Sequence, residues 1–93
     1  MKTVGDTIRD IRKAKKIKQK ELALMCNLST NSIVNIEHGY HEPATDTLKM
    51  ICHALDISEA VFVLNRITEE DFKEDQKILF KAMLIPLMEN MNS

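Results

Sequence analysis

The stretch from Gln19 to Glu37 most constrains the fold, because it reads as two short helices joined by a tight polar turn. Apolar residues recur along it at the i, i+3, i+4 spacing of helices with one buried face: Leu22, Ala23 and Cys26 in the first helix, Ile33 and Ile36 in the second. Both helices therefore bury a face in one shared core.

The turn between these helices is about three to four residues long, as a helix-turn-helix requires. Asn27 can end the first helix, because asparagine tolerates the left-handed backbone conformation. Leu28 then points inward, and the Ser29 hydroxyl caps the second helix.

The outward face of the second helix is polar but uncharged. With the two isoleucines turned inward, Thr30, Asn31 and Asn35 point outward near its N-terminal end. Such side chains donate and accept hydrogen bonds at base edges, so we predict that the helix from Thr30 to His38 enters the major groove of DNA. The alternative is a polar face that contacts only solvent.

Composition predicts an all-α chain of one domain. The 93 residues include no Trp, one Tyr and two Gly, with many Leu, Ile, Lys, Glu and Met. Cys26 and Cys52 fall at apolar helix positions, which favours reduced, buried thiols. No apolar run approaches the roughly 20 residues that span a bilayer, and the N-terminus lacks the apolar region of a signal peptide. We therefore expect a cytoplasmic protein with no membrane contact.

The net charge of −1 conceals an asymmetry along the chain. The first twenty residues carry eight basic and two acidic side chains, for +6, whereas the other 73 carry five and twelve, for −7. A basic end can follow phosphates while the acidic remainder stays away from the duplex. Lys18 and Lys20, at the start of the helix-turn-helix, are the candidate phosphate contacts. The alternative is a solvated lysine face.

Periodicity and capping signals predict six helices: Val4 to near Lys15, about Lys18 to Cys26, Thr30 to His38, about Thr45 to Leu55, a short helix capped by Ser58, and a final segment beginning at Thr68. Thr3 caps the first helix, and Gly39 closes the third.

Several motifs match one known family: I-R-x-I-R (Ile8 to Arg12), Q-x-x-L-A (Gln19 to Ala23), S-x-x-x-I-x-x-I-E-x-G (Ser29 to Gly39), Pro43, T-L (Thr47, Leu48) and A-L-x-I-S (Ala54 to Ser58). The chain resembles the lambda-repressor and Cro-like helix-turn-helix family from about Val4 to Leu64. The resemblance implies a five-helix DNA-binding domain. It also implies that Gln19 anchors a phosphate and buttresses the recognition helix, that Thr30, Asn31 and Asn35 face bases, and that Arg12 pairs with Glu37 in a structural role.

The full set of candidate DNA-contacting residues is Lys18, Gln19, Lys20, Ser29, Thr30, Asn31, Ser32 and Asn35. The chain departs from the family at Lys16 and Asn27, where members usually have glycine, and at Lys18, where they have Ser or Thr. The loop after Gly39 is often basic in relatives, whereas here it reads Tyr40, His41, Glu42 and has no Lys or Arg for a phosphate contact. The recognition helix also lacks Lys and Arg, which indicates contacts to A·T pairs from Asn31 and Asn35.

Neither enzymatic chemistry nor a cofactor is expected. There is no Ser-His-Asp or Cys-His order, and no glycine-rich phosphate loop. The spacing of His38, His41, Cys52 and His53 fits no familiar zinc finger or ribbon, so we expect no metal site.

The C-terminal segment is the least family-like part. Ile78 to Met88 carries one charge in eleven residues, so a helix there must be buried on most sides. A five-helix core of this size cannot cover it, and eleven residues cannot span a membrane. Pro86 must kink the helix or start a separate turn after Ile85.

We therefore predict two parts, a DNA-binding domain over residues 1–65 and an apolar helical extension over 66–93 that pairs with a second copy. The candidate dimerisation residues are Phe72, Leu79, Phe80, Met83, Leu84 and Leu87. The alternative is a helix folded back on its own domain.

These features predict a sequence-specific, homodimeric DNA-binding regulator of transcription, most simply a repressor, whose partner is double-stranded operator DNA. The alternative is an antitoxin-type module that holds a partner protein through its C-terminal helix and also binds operator DNA.

Overall fold

The computed structural model describes residues 1–91, which contain helices and turns and no strand. Five helices form the N-terminal part: α1 (Val4–Ala14), α2 (Gln19–Met25), α3 (Thr30–Glu37), α4 (Thr45–Ala54) and α5 (Glu59–Arg66). A sixth, α6, covers 77–91 and changes type along its length: α-helical at Lys77–Leu79, π-helical at Phe80–Leu84 and α-helical again at Ile85–Met91. The all-α, five-helix architecture with a C-terminal helix is confirmed. None of these helices has the length and apolar character needed to cross a bilayer.

The predicted N-caps are confirmed at three helices. Thr3, Ser29 and Ser58 precede α1, α3 and α5, and each hydroxyl oxygen accepts the backbone N–H three residues ahead, at 3.0, 3.0 and 3.1 Å respectively. These bonds satisfy backbone donors that a helix start leaves unpaired.

Four helices end in the same kind of turn. A residue in the left-handed conformation follows each helix: Lys16 (φ 59°), Asn27 (φ 55°), Gly39 (φ 78°) and Asp56 (φ 57°). The backbone N–H of the next residue then donates to the carbonyl five positions back, at 2.9 to 3.0 Å, as in a Schellman motif. We call these the closing turns. The left-handed positions at Asn27 and Gly39 confirm their predicted roles.

The apolar residue after each left-handed position has a structural role in three of the closing turns. Ile17, Leu28 and Ile57 are partly buried against the hydrophobic core. Tyr40, the equivalent residue after Gly39, is instead 79% exposed. The fourth closing turn therefore presents its apolar residue to solvent.

The core lies among the five N-terminal helices. Its buried apolar members are Val4, Ile8, Ile11, Leu22, Ala23, Cys26, Ile33, Ile36, Ile51, Cys52, Leu55 and Phe62. Both cysteines are free and buried, as predicted. Burial raises the pKa of both thiols, and the negative charge of Glu59 raises that of Cys52 further.

Gly5 allows α1 to cross the end of α3 at close range. A Cβ at this position would lie 2.2 Å from the Ile36 carbonyl oxygen and 2.8 Å from that of Glu37. The helix backbones approach so closely that no side chain fits between them.

The segment after α5 differs from the predicted helix beginning at Thr68. Short 3₁₀ turns occur at Glu69–Asp71 and Glu74–Gln76, and α6 begins only at Lys77. The Asp71 carboxylate accepts the Thr68 backbone N–H at 2.8 Å and the Met1 ammonium at 3.0 Å. Phe72 then takes an extended conformation, and its ring packs against Phe80 with centroids 5.2 Å apart. The capping signal at Thr68 is therefore used by a single 3₁₀ turn.

Helix α6 packs one side against α5. Phe80 is 5% exposed, and Ile85 and Met88 line the same cleft as Ile67. The helix changes type at Ile85, just before Pro86, and continues without interruption to Met91, so Pro86 does not start a separate turn. The change lies where proline, which lacks an N–H and clashes with the carbonyl four residues back, disfavours a regular α-helix.

Candidate nucleic-acid interface

Helix α3 separates an apolar inner face from a polar outer face. Ile33 and Ile36 are 0% and 3% exposed, within the core. On the other side Thr30 and Asn31 are exposed and Asn35 is half-buried. The predicted outward positions are therefore found on the surface of α3, beginning at its first residue.

The beginning of α3 is ordered by its serines. Ser29 Oγ accepts the Ser32 backbone N–H, and the two hydroxyl oxygens lie 2.8 Å apart. Both side chains thus have a hydrogen-bonding role within the chain beside the proposed DNA-facing residues.

The far end of α3 is held by a buried salt bridge. Glu37 is 3% exposed and accepts two hydrogen bonds from Arg12, from Nε to Oε2 at 2.7 Å and from Nη2 to Oε1 at 3.0 Å. Arg12 Nη1 also donates to the Ile17 carbonyl at 2.9 Å. The structure confirms this pair, and bidentate geometry fixes α1 against α3.

Gln19 joins α2 to the same group. Its Nε2 donates to Glu37 Oε1 at 3.1 Å, which places the first residue of α2 against the end of α3. This contact confirms that Gln19 supports the recognition helix. Contact of its side chain with a phosphate remains a prediction.

Fewer basic side chains of the N-terminal region are available to bind phosphate than its charge count indicates, because three of them form ion pairs within the chain. Lys2 pairs with Asp10 at 2.8 Å, Arg9 with Asp6, and Arg12 with Glu37. The five other basic residues among the first twenty form no ion pair within residues 1–91: Lys13, Lys15, Lys16, Lys18 and Lys20. Lys18 and Lys20 are exposed at the start of α2, where the Glu21 carboxylate accepts the Lys18 backbone N–H at 3.1 Å.

Comparison with known proteins agrees with this geometry. A family model described as helix-turn-helix matches residues 8–62. The chain belongs to the lambda-repressor and Cro-like helix-turn-helix family. Members of this family are DNA-binding regulators of transcription, and α2 and α3 are the two helices of the motif.

Two relatives come from Bacillus phage phi105. An immunity repressor protein is 38% identical over 61 residues, which cover 66% of this chain and 42% of the repressor. An ImmF control region 10 kDa protein is 33% identical over 66 residues, which cover 71% of this chain and 73% of that protein. The match thus spans less than half the length of the immunity repressor. No solved structure matched the chain significantly.

Two residues on the outer face of this helix-turn-helix were absent from the predicted set. Val34 is half-buried and His38, at the C-cap of α3, is exposed. The His38 ring stacks on Tyr40 with centroids 5.5 Å apart and planes inclined by 15°. The available signal was spacing, because His38 lies seven residues after Asn31 and hence on the same helix face.

Five of the six predicted dimerisation residues lie on two faces of α6, whereas Phe72 precedes the helix. Leu79, Met83 and Leu87 are 50%, 62% and 48% exposed at a spacing of four, and Met91 continues this line at 41%. We call these four residues the apolar stripe. Phe80 differs from expectation, because it is buried within its own chain against Phe72.

The remaining predicted dimerisation residue, Leu84, is half-buried. The two alternatives for this helix therefore apply to different faces: one face is folded back on the domain, and the stripe remains uncovered in the single chain. Within residues 1–91, no group of three or more His, Cys, Asp and Glu side chains is placed to hold a metal ion.

Proposed function

We propose that this protein is a sequence-specific, homodimeric repressor that reads operator DNA with the outer face of α3. The observation that carries the proposal is the pairing of a polar outer face, where Thr30 and Asn31 are exposed and Asn35 is half-buried, with a buried salt bridge that fixes the same helix. A reading helix needs its side chains outside and its axis held. The similarity to a phage protein named an immunity repressor supports repression.

Asn31 and Asn35 are the proposed base-reading residues. They lie one helical turn apart on α3, and an asparagine amide can bond both N6 and N7 of adenine. Thr30, exposed at the first position of the helix, supports them with a hydroxyl that either donates or accepts.

Lys18 and Lys20 are the proposed phosphate contacts. Their ammonium groups lack ion-pair partners among the described residues, and the two lysines flank Gln19 in sequence, whose side chain is anchored to α3. Phosphate contacts at this position would set the register of α3 in the groove.

The substitution Asn31→Ala tests base reading. We expect a loss of roughly 1 to 3 kcal/mol on the specific site, little loss on scrambled DNA, and relaxed preference at one base pair per half-site. Titration of both proteins against specific and scrambled duplexes at one salt concentration measures this. Thermal unfolding serves as the folding control. Equal losses on the two duplexes would make Asn31 a positioning or folding residue and leave base reading to Thr30 and Asn35.

Assembly through the apolar stripe is the second part of the proposal. A row of partly exposed Leu and Met side chains is the kind of surface that oligomer interfaces cover, and a two-fold pairing places each stripe against its own copy. In a symmetric dimer the half-sites should be centred about 10 base pairs apart, or a multiple of that distance.

Point substitutions test this better than truncation, because truncation would also remove the buried Phe80. Sedimentation at micromolar concentration should show a dimer for the full chain and a monomer for Met83→Lys with Leu87→Lys. Met50→Lys, on α4 at a residue that is 45% exposed, is the matched control and should remain dimeric. A monomeric full chain would exclude the homodimer and favour the second candidate, a stripe covered by a partner protein as in antitoxins.

A further inference from the structure

His38 extends the outer face of α3 beyond the residues already proposed to read bases. Asn31, Val34, Asn35 and His38 stand at i, i+3, i+4 and i+7, a spacing with which recognition helices read the major groove over two turns. Seven residues correspond to about 10 Å along the helix axis, or about three base pairs of DNA. His38 therefore lies where a further base pair comes within reach.

Tyr40 has no structural role that accounts for its position. Its equivalents in the other closing turns, Ile17, Leu28 and Ile57, pack against the core, whereas Tyr40 is 79% exposed. Its backbone is nevertheless fixed, because its N–H donates to the Asn35 carbonyl at 3.0 Å. The ring is thus held beside the outer face of α3 and stacks on His38 there.

This stack restricts the imidazole of His38. The nearly parallel rings, inclined by 15°, leave the imidazole edge free while limiting rotation of its plane. A donor held in one orientation loses less conformational entropy when it binds, which is the usual advantage of a preorganised contact.

On the basis of the proposed function, we propose that His38 reads a guanine about three base pairs from the pair read by Asn31 and that Tyr40 is the positioning residue for this contact. An imidazole N–H is a hydrogen-bond donor, and guanine presents two adjacent acceptors, N7 and O6, in the major groove, whereas adenine presents one acceptor beside a donor. The rest of α3 contains no Lys or Arg to serve as a guanine reader.

The test measures the base preference of the unchanged protein and four variants at every operator position, with duplexes that carry each single base substitution. His38→Ala should bind the specific site roughly tenfold more weakly, with unchanged binding to scrambled DNA, and should lose its preference at one G·C pair per half-site. Tyr40→Phe keeps the ring and should retain the preference. Tyr40→Ala removes the stack and should weaken the preference at that same pair.

His41→Ala is the matched control. His41 is an exposed imidazole in the same loop, but it lines the cleft between this loop and the start of α1 instead of the stack. It should bind and discriminate as the unchanged protein does. Thermal unfolding should be unaffected by all these changes, because neither His38 nor Tyr40 belongs to the core.

Three outcomes would overturn the inference: equal losses for His38→Ala on specific and scrambled DNA, an unchanged base preference in that variant, or the same effect in His41→Ala. The proposed function is judged separately by Asn31→Ala. If that variant loses specificity while His38→Ala retains it, reading by α3 stands and reading by His38 does not.

Discussion

At the scale of single residues, Glu37 has the largest role in fixing the reading helix. It is 3% exposed, and its carboxylate accepts hydrogen bonds from both Arg12 and Gln19, so helices α1, α2 and α3 meet at one side chain. A buried ion pair is valuable chiefly because loss of either partner leaves the other charge without compensation.

We therefore predict that Glu37→Ala lowers the free energy of unfolding by about 3 to 5 kcal/mol, since Arg12 is then buried without a partner. Urea denaturation measures the loss. The double variant Arg12→Met with Glu37→Leu should recover most of it, because both charges are then absent. Gln19→Ala should cost only about 1 kcal/mol, as the loss of one hydrogen bond. A Glu37→Ala loss no larger than that of Gln19→Ala would contradict this account.

Lys16 holds a backbone conformation that suits glycine better. Its φ is 59°, and a side chain in the left-handed region costs roughly 1 to 2 kcal/mol. Glycine avoids this cost, but its greater conformational entropy in the unfolded state offsets part of the gain. Lys16→Gly should therefore raise the free energy of unfolding by up to about 1 kcal/mol.

Lys16→Ala is the control for this prediction, because it removes the charge and keeps the strain. It should give no gain in thermal unfolding. Asn27→Gly should gain less than Lys16→Gly, since asparagine tolerates this conformation. A gain in Lys16→Ala equal to that in Lys16→Gly would assign the effect to charge.

At the scale of helices, the crossing of α1 over α3 depends on Gly5. Gly5→Ala should destabilise the protein by roughly 1 to 3 kcal/mol, because its Cβ would meet backbone carbonyl oxygens that cannot move independently of α3. It should also weaken DNA binding, since the shift tilts the reading helix. Denaturation and DNA titration measure the two effects.

Gly39→Ala is the control for this test. A Cβ added at Gly39 would have no atom within 4 Å, so the only strain in this variant comes from an alanine with a φ of 78°. We expect it to lower stability with a smaller change in DNA affinity. Equal effects of the two substitutions on affinity would argue against tilting of α3.

Periodicity predicted five helices and the buried faces of α2 and α3, because one side of each helix is apolar and the other polar. Periodicity could not show which face of α6 is buried, because apolar residues occur all round this helix. The contact of Phe72 with Phe80 determines the buried face, and Phe72 lies outside the helix, so helical spacing could not predict the contact. The capping signal at Thr68 suits a 3₁₀ turn as well as an α-helix. Local sequence also could not show that Gly5 meets a carbonyl or that Tyr40 stays exposed.

The candidate site was predictable to the same extent. Thr30, Asn31 and Asn35 lie outside because the isoleucines beside them lie inside, which is a property of spacing alone. His38 was missed because its partner, Tyr40, is brought to it by the closing turn after α3.

At the scale of the whole molecule, internal ion pairs determine which basic side chains are available to contact DNA. Replacing Lys18 and Lys20 with alanine should weaken binding to all sequences alike and flatten the plot of log affinity against log salt by up to about one unit per lost contact. Lys2→Ala is the matched control, because Lys2 is already paired with Asp10 at 2.8 Å. An unchanged slope in the double variant would assign both lysines to solvent.

The shared carboxylate of Glu37 has a further consequence for how operators are tolerated. Because the first three helices are joined through one buried network, we expect the reading surface of each copy in the proposed homodimer to be stiff, so that it does not change shape to fit an imperfect site. The duplex must then bend or twist instead, at an energetic cost that depends on its own base steps. Base pairs that no side chain touches, such as those midway between the half-sites, should therefore influence repression through the flexibility of the DNA.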